Sequence, residues 1–230
     1  MATQATSPES KGFGQGDGAL ADWAESVFHP EDAVLLEIRE RSVREGLPPI
    51  AVGRFDGLHL EVLARISRAR NAVEIGTLGG YSGVCLLRGL PPEGRLHTFE
   101  LMPKNAEVAR ESFRRAGFAD RATVHVGPAL ENLRKIEGAF PVDLVFIDAD
   151  KVGYPAYLDW AAEHLEVGGI VLGDNAFGWG GVATGAEVRD DQRTAIEALR
   201  TFNVKLATSG RFRATMLPTA EGLALGVKIR

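Results

Sequence analysis

The spacing of apolar residues changes part-way along the chain. From about Ala19, Leu20, Trp23 and Val27 recur at helical intervals, and after His29-Pro30 a second run carries Val34, Leu35 and Ile38. A third stretch sets Phe55, Leu58, Val62, Leu63 and Ile66 on one helical face. Beyond these three predicted helices the apolar residues fall in short, nearly continuous runs: 72–76, 96–100, 123–126, 143–148 and 170–174. Amphipathic stretches at 81–89, 103–117, 129–137, 154–165 and 188–202 separate or follow them. Continuous apolar strands alternating with helices predict an α/β fold, a Rossmann-like doubly wound and mostly parallel sheet with helices on both faces. The last runs, 205–208, 215–217 and 223–227, have no helices between them and read as antiparallel strands at the sheet edge.

Residues 1–18 contain Ser, Thr, Gln, Pro and Gly with few apolar side chains, which predicts a flexible arm ahead of a single domain at 19–230. Across 230 residues, 26 basic and 31 acidic side chains leave a net charge of −5. That balance points away from a nucleic-acid partner, which calls for clustered basic residues. No apolar run reaches the roughly 18 residues of a membrane span, and the start lacks the order of a signal peptide. The single cysteine, Cys85, offers neither an internal disulfide nor a thiolate zinc site, which fits the cytoplasm. His29, His59, His97, His125 and His164 show no ligand spacing and fall to structure or surface.

Ligands of open α/β sheets bind at the carboxyl ends of the strands, so the residues that end each run carry the candidate chemistry. The first run leads into Glu74-Ile75-Gly76-Thr77-Leu78-Gly79-Gly80-Tyr81-Ser82, where glycines let a ligand approach the backbone at a helix N-terminus. A tight turn that binds nothing would look the same. The second run ends on Glu100, placed where an adenosine binder keeps the acid that accepts the ribose hydroxyls. The loop lacks the G-x-G-x-x-G order that seats a pyrophosphate, and Glu74 and Glu100 would be poor neighbours for phosphate. S-adenosylmethionine, with its sulfonium cation, suits the loop better than NAD.

The fourth and fifth runs close on Asp148 and Asp174, the latter followed by Asn175. Adjacent parallel strands would bring these oxygen donors together, and hard oxygens without His or Cys suit Mg²⁺, Mn²⁺ or Ca²⁺. Strand-terminal Asp and Asn also cap helices and turns. Lys151 follows Asp148 by three positions; it is either a solvated surface charge or, beside a divalent cation that disfavours its ammonium, a general base.

These motifs, with Gly127-Pro128-Ala129, Phe146 to Lys151, Tyr154, Tyr157, Gly168-Gly169 and Trp179-Gly180-Gly181, cover about four fifths of the chain. In this order they resemble the cation-dependent O-methyltransferases of the caffeoyl-coenzyme A and catechol type. The resemblance implies that Glu74, Gly76, Thr77 and Ser82 line the methionine side of S-adenosylmethionine, that Glu100 holds the ribose, and that the Ala129 backbone N–H meets the adenine. It implies that Val52, Asp150 and Tyr157 complete the cofactor wall, and that Asp148, Asp174 and Asn175 hold the cation. By the same resemblance Lys151 would take the place of the base, the acceptor would be a small ortho-dihydroxy aromatic molecule, and the assembly would be a homodimer. The spacer Ala176-Phe177-Gly178 is one residue longer than is usual in such enzymes, which reshapes the loop beside the acceptor. An NAD-dependent oxidoreductase would require a third correctly spaced glycine, and a non-catalytic adenosyl-ligand binder has no use for Asp148, Asp174, Asn175 and Lys151 together.

Overall fold

The computed structural model describes residues 18–183 and 186–230. Three helices come first, α1 (Gly18–Phe28), α2 (Ala33–Arg44) and α3 (Arg54–Ser67). Strands β1 (Asn71–Ile75), β2 (Arg95–Glu100), β3 (Ala122–Val126), β4 (Val142–Ile147) and β5 (Leu165–Gly173) then alternate with α4 (Tyr81–Gly89), α5 (Pro103–Arg115), α6 (Ala129–Leu133) and α7 (Tyr154–His164). Helix α8 (Arg193–Thr208) leads into the hairpin β6 (Phe212–Leu217) and β7 (Leu223–Lys228). The sheet runs β3-β2-β1-β4-β5-β7-β6, parallel from β3 to β5, with β7 antiparallel to both β5 and β6.

Both faces of the central strands are buried, which is why they read as unbroken apolar runs. On one face Val145, Ile147 and Val171 pack with Tyr154, Leu158, Leu199 and Phe202 from α7 and α8. On the other, Leu144, Phe146 and Leu172 pack with Leu35, Leu60, Leu86 and Phe113 from α2 to α5. Strand order reverses between β1 and β4, so the crevice at the switch point opens above their carboxyl ends.

Three expectations change. Residues 205–208 are the last turn of α8 rather than a strand, because Leu199, Phe202 and Leu206 are all buried at helical spacing. The helix predicted at 188–202 therefore runs from Arg193 to Thr208. Helix α3 buries Phe55, Gly57, Leu60 and Ala64, while Val62 and Ile66 are exposed, so of the predicted face Phe55 alone is buried and the inner face is turned toward Leu60 and Ala64. The predicted arm lies outside the described residues except for Gly18, which opens α1. Among the described residues no helix is long and apolar enough to cross a membrane.

Phe202 is fully buried, with its ring edge-on to Tyr154 at 5.3 Å and against the Gly173 backbone at the end of β5. Phe202→Ala should lower the unfolding free energy by about 3–5 kcal/mol. Urea denaturation checks this, and an unchanged midpoint would contradict the packing described.

Candidate active site

The backbone pairing of the parallel strands continues one residue past their ends. Gly127 N–H donates to Glu100 O (2.9 Å), Gly76 N–H to Phe99 O (2.9 Å), Asp148 N–H to Ile75 O (2.8 Å) and Asp174 N–H to Ile147 O (3.0 Å). The four exits are thus held in register, and the chemistry-bearing residues stand side by side. At Gly76, with φ +99°, a Cβ would lie 2.0 Å from the carbonyl oxygen of Asp148. Only glycine lets β1 and β4 leave the sheet this close together.

Glu100 lines the cleft with its carboxylate tied down on both sides. One oxygen accepts from the N–H groups of Leu78 (2.8 Å) and Thr77 (3.3 Å); the other accepts from Met102 N–H (2.9 Å) and Asn105 Nδ2 (3.1 Å). Glu74 lies beneath, completely buried, and accepts from Ser82 Oγ and Thr98 Oγ1, each at 2.6 Å. Burial pushes its carboxyl up from 4.5 to about 7, with Asp148 and Glu100 adding in the same direction and the two hydroxyls opposing. Glu74 therefore supports Ser82 and, through Thr98, Thr77, and it is these two that line the cleft.

At the other end of the crevice Lys151 Nζ donates to Asp148 Oδ1 (3.0 Å) and to Tyr154 Oη (2.8 Å). Tyr154 Oη lies 3.1 Å from the carbonyl oxygens of both Ile147 and Asp174, which joins the lysine to the ends of β4 and β5. Asp174 is almost wholly buried, and its Oδ1 has no hydrogen-bond partner among the described residues. Its carboxyl is pushed well above the usual carboxylate range by burial first, then by Asp148 and Asp56, with Lys151 opposing. Asn175, in the left-handed region at φ +54°, turns its amide to Glu221 in the β6–β7 turn. Asp150 accepts from Tyr157 Oη (2.5 Å), and Val52 O accepts from Arg39 Nη2 (2.7 Å), while the Arg39 guanidinium covers the Tyr81 ring at 3.9 Å.

The cleft has a volume of about 1530 Å³, room for two small molecules side by side. Val52, Gly76, Thr77, Ser82, Glu100, Ala129, Asp148, Asp150, Lys151, Tyr157 and Asn175 all line it, whereas Glu74 and Asp174 lie behind its wall. Phe177, Trp179 and Val182 form an apolar end beside Asn175. Sequence reasoning missed Arg39, Asp56, Asn105 and Glu221. Asn105 alone carried a local signal, five residues after the acid it orients.

Among the described residues no three His, Cys, Asp or Glu side chains form a group that could hold a metal ion. The predicted set differs in chemistry, with two carboxylates and one amide. Its fit to a hard cation rests on the orphaned Asp174 Oδ1 and on the like charge of Asp148 raising the Asp174 carboxyl.

Residues 24–229 match the family described as O-methyltransferase. Over 180 residues the chain is 42% identical to a catechol O-methyltransferase of Mycobacterium tuberculosis, covering 78% of this chain and 80% of that protein. An O-methyltransferase from Bacillus cereus, solved in complex with S-adenosylhomocysteine, superposes with a TM-score of 0.83 at 35% identity, over 91% of this chain and 97% of the other. A second, the tomaymycin-synthesis O-methyltransferase of Streptomyces achromogenes in complex with S-adenosylmethionine, gives 0.83 at 32% identity, over 92% and 96%.

Because the Glu74 carboxyl is raised in the folded state, the native protein binds a proton there more tightly than the unfolded chain does. The stability this contributes is complete below pH 4.5 and declines as pH rises to about 7, by on the order of 3 kcal/mol. Glu74→Gln, which has no such proton to lose, should show a correspondingly flatter stability profile over that window. Parallel profiles for the two proteins, measured by urea denaturation, would contradict the shift.

Proposed function

The chain belongs to the O-methyltransferase family, and from that premise we propose that it moves the methyl group of S-adenosylmethionine to one hydroxyl of a catechol-like, ortho-dihydroxy aromatic acceptor with the aid of a divalent cation. The observation that carries this reading is the adjacency, across Gly76 and Asp148, of a cofactor-shaped loop and an oxygen-rich corner. The catechol name of the mycobacterial relative supports the acceptor class. Family membership replaces the oxidoreductase and the non-catalytic binder as readings.

Glu100, its carboxylate oriented by N–H donors on both oxygens, lines the cleft where it would accept from the ribose hydroxyls. Thr77 and Ser82 meet the methionine part, and the Ala129 backbone at the start of α6 meets the adenine. Val52, Asp150 and Tyr157 close the wall and keep water from the sulfonium. Asp148, Asp174 and Asn175 would hold the cation. When bound, Mg²⁺, or Mn²⁺ or Ca²⁺, would supply a Lewis acid that lowers the pKa of a catechol hydroxyl. Phe177 and Trp179 offer the ring its apolar support. Lys151, held between Asp148 and Tyr154, receives the hydroxyl proton at Nζ when it stands in its neutral form. The acceptor oxygen then forms its bond to the methyl carbon as the sulfur–carbon bond breaks, leaving S-adenosylhomocysteine. The donor is already activated, so the protein's contribution is largely alignment, on the order of 7–11 kcal/mol in well-placed cases.

The same reading takes residues 19–230 as one catalytic domain working in the cytoplasm. It also takes the protein as a homodimer, for which the exposed Trp23, Phe28, Val62 and Ile66 offer apolar surface to bury.

Turnover of catechol with labelled S-adenosylmethionine tests the proposal. We expect methylation with Mg²⁺, a loss of 100-fold or more in EDTA that excess Mg²⁺ reverses, and a comparable loss in Asp174→Ala that Mg²⁺ does not reverse, as for removal of an electrostatic stabiliser worth about 2.7–4 kcal/mol. Undiminished methylation in EDTA would rule out the cation.

A further inference from the structure

The antiparallel hairpin β6–β7 reaches into the site through its turn. Register Gly173↔Ala224 fixes β7 against the end of β5, so the turn before β7 must lie beside the residues that follow β5. Two backbone bonds lock it there: Ala176 N–H donates to Gly222 O (2.8 Å) and Phe177 N–H to Glu221 O (3.0 Å). Within the turn Thr219 N–H donates to Leu217 O (2.8 Å) and Gly222 N–H to Thr219 O (3.2 Å). On this braced turn the Glu221 carboxylate accepts a hydrogen bond from Asn175 Nδ2. Both side chains line the cleft.

This contact settles a choice that Asn175 cannot make alone. A side-chain amide carries an oxygen at one end and an NH₂ at the other, and only the oxygen serves a cation. A carboxylate accepts hydrogen bonds and donates none, so Glu221 can be met only by the NH₂ end. With Nδ2 committed to Glu221, Oδ1 is left for the corner shared with Asp148 and Asp174.

Resting on the cation reading above, we propose that Glu221 is a positioning residue that fixes the orientation of the Asn175 amide so that its oxygen, not its nitrogen, faces the divalent cation. Glu221 is 46 residues away in sequence and, in this proposal, acts through its hydrogen bond with Asn175. The hairpin that extends the sheet thereby also serves the chemistry.

The test is Mn²⁺ binding by electron paramagnetic resonance, with neither methyl donor nor acceptor present, on wild type, Glu221→Ala and Glu221→Gln, each checked for its fold by circular dichroism. Wild type should bind one Mn²⁺ per chain. Glu221→Ala should bind it about 10–100-fold more weakly, as for loss of a group that orients a metal ligand. Glu221→Gln, of the same shape and with an amide oxygen still able to accept from Nδ2, should stay close to wild type whether or not the alanine variant folds. The proposal is overturned if Glu221→Ala binds as wild type does, or if Glu221→Gln is as weak as the alanine variant, which would mean that charge and not orientation matters. Failure of wild type to bind Mn²⁺ would remove the cation reading itself and Glu221's role with it.

Discussion

The close approach of Gly76 to the Asp148 carbonyl is the constraint on which the site depends. Strands β1 and β4 sit on either side of the point where strand order reverses, and elsewhere in such a sheet their exits would be spread by side chains. Here the missing Cβ lets one exit lie against the other. The loop that carries Thr77 and Ser82 leaves from one side, and the segment carrying Asp148, Asp150 and Lys151 leaves from the other. Hydrogen bonds from Gly127 to Glu100 and from Asp174 to Ile147 extend the same register to β3 and β5. The two ends of the crevice, proposed as donor pocket and acceptor corner, are thus set at a fixed separation by backbone alone, before any side chain chooses a rotamer. Methyl transfer asks for that kind of alignment, because its energetics are dominated by placing two bound groups in line.

Electrostatics divides the crevice in two. On the donor side each buried carboxylate is matched: Glu100 by four N–H donors and Glu74 by two hydroxyls. On the acceptor side negative charge is in excess. Asp174 feels Asp148, Asp56 and Glu221, and of the charges acting on it Lys151 alone opposes them. Such an arrangement is costly without a positive partner. Lys151 lies against Asp148 at 3.0 Å, and the proposed divalent cation would add the further positive charge the corner calls for. The two halves therefore differ in electrostatic character, which is what the proposed pairing of a sulfonium donor in one with a hard cation and its aromatic acceptor in the other would require.

Much of this was legible in the sequence because it is local. The glycines after β1, the acid that ends β2 and the Asp-Asn pair after β5 each lie within a few residues of a strand end, so an apolar run followed by a polar residue marks them. What escaped is carried by topology. Arg39 reaches Val52 and Tyr81 only when α2 folds over the loop, Asp56 approaches Asp174 from another helix, and Glu221 arrives on a hairpin. Helix α3 misled for a related reason. Its contact with α4 includes Gly57 against Tyr81 and Cys85 and Ala64 against Gly89, small residues that permit close packing, and Val62 and Ile66 were left outside. At 205–208 an alternating stretch imitated a strand, yet Leu206 continues the buried stripe of Leu199 and Phe202 and the helix runs on to Thr208.

The central claim is that the donor methyl group and the cation occupy adjoining halves of one crevice. Carbon-13 NMR of methyl-labelled S-adenosylmethionine bound to the protein, recorded as Mn²⁺ is added, tests it most directly. The account predicts that the methyl resonance broadens strongly as one equivalent of the paramagnetic ion binds, and that Mg²⁺ in excess restores it. A resonance that stays sharp at saturating Mn²⁺, with the donor still bound, would contradict it.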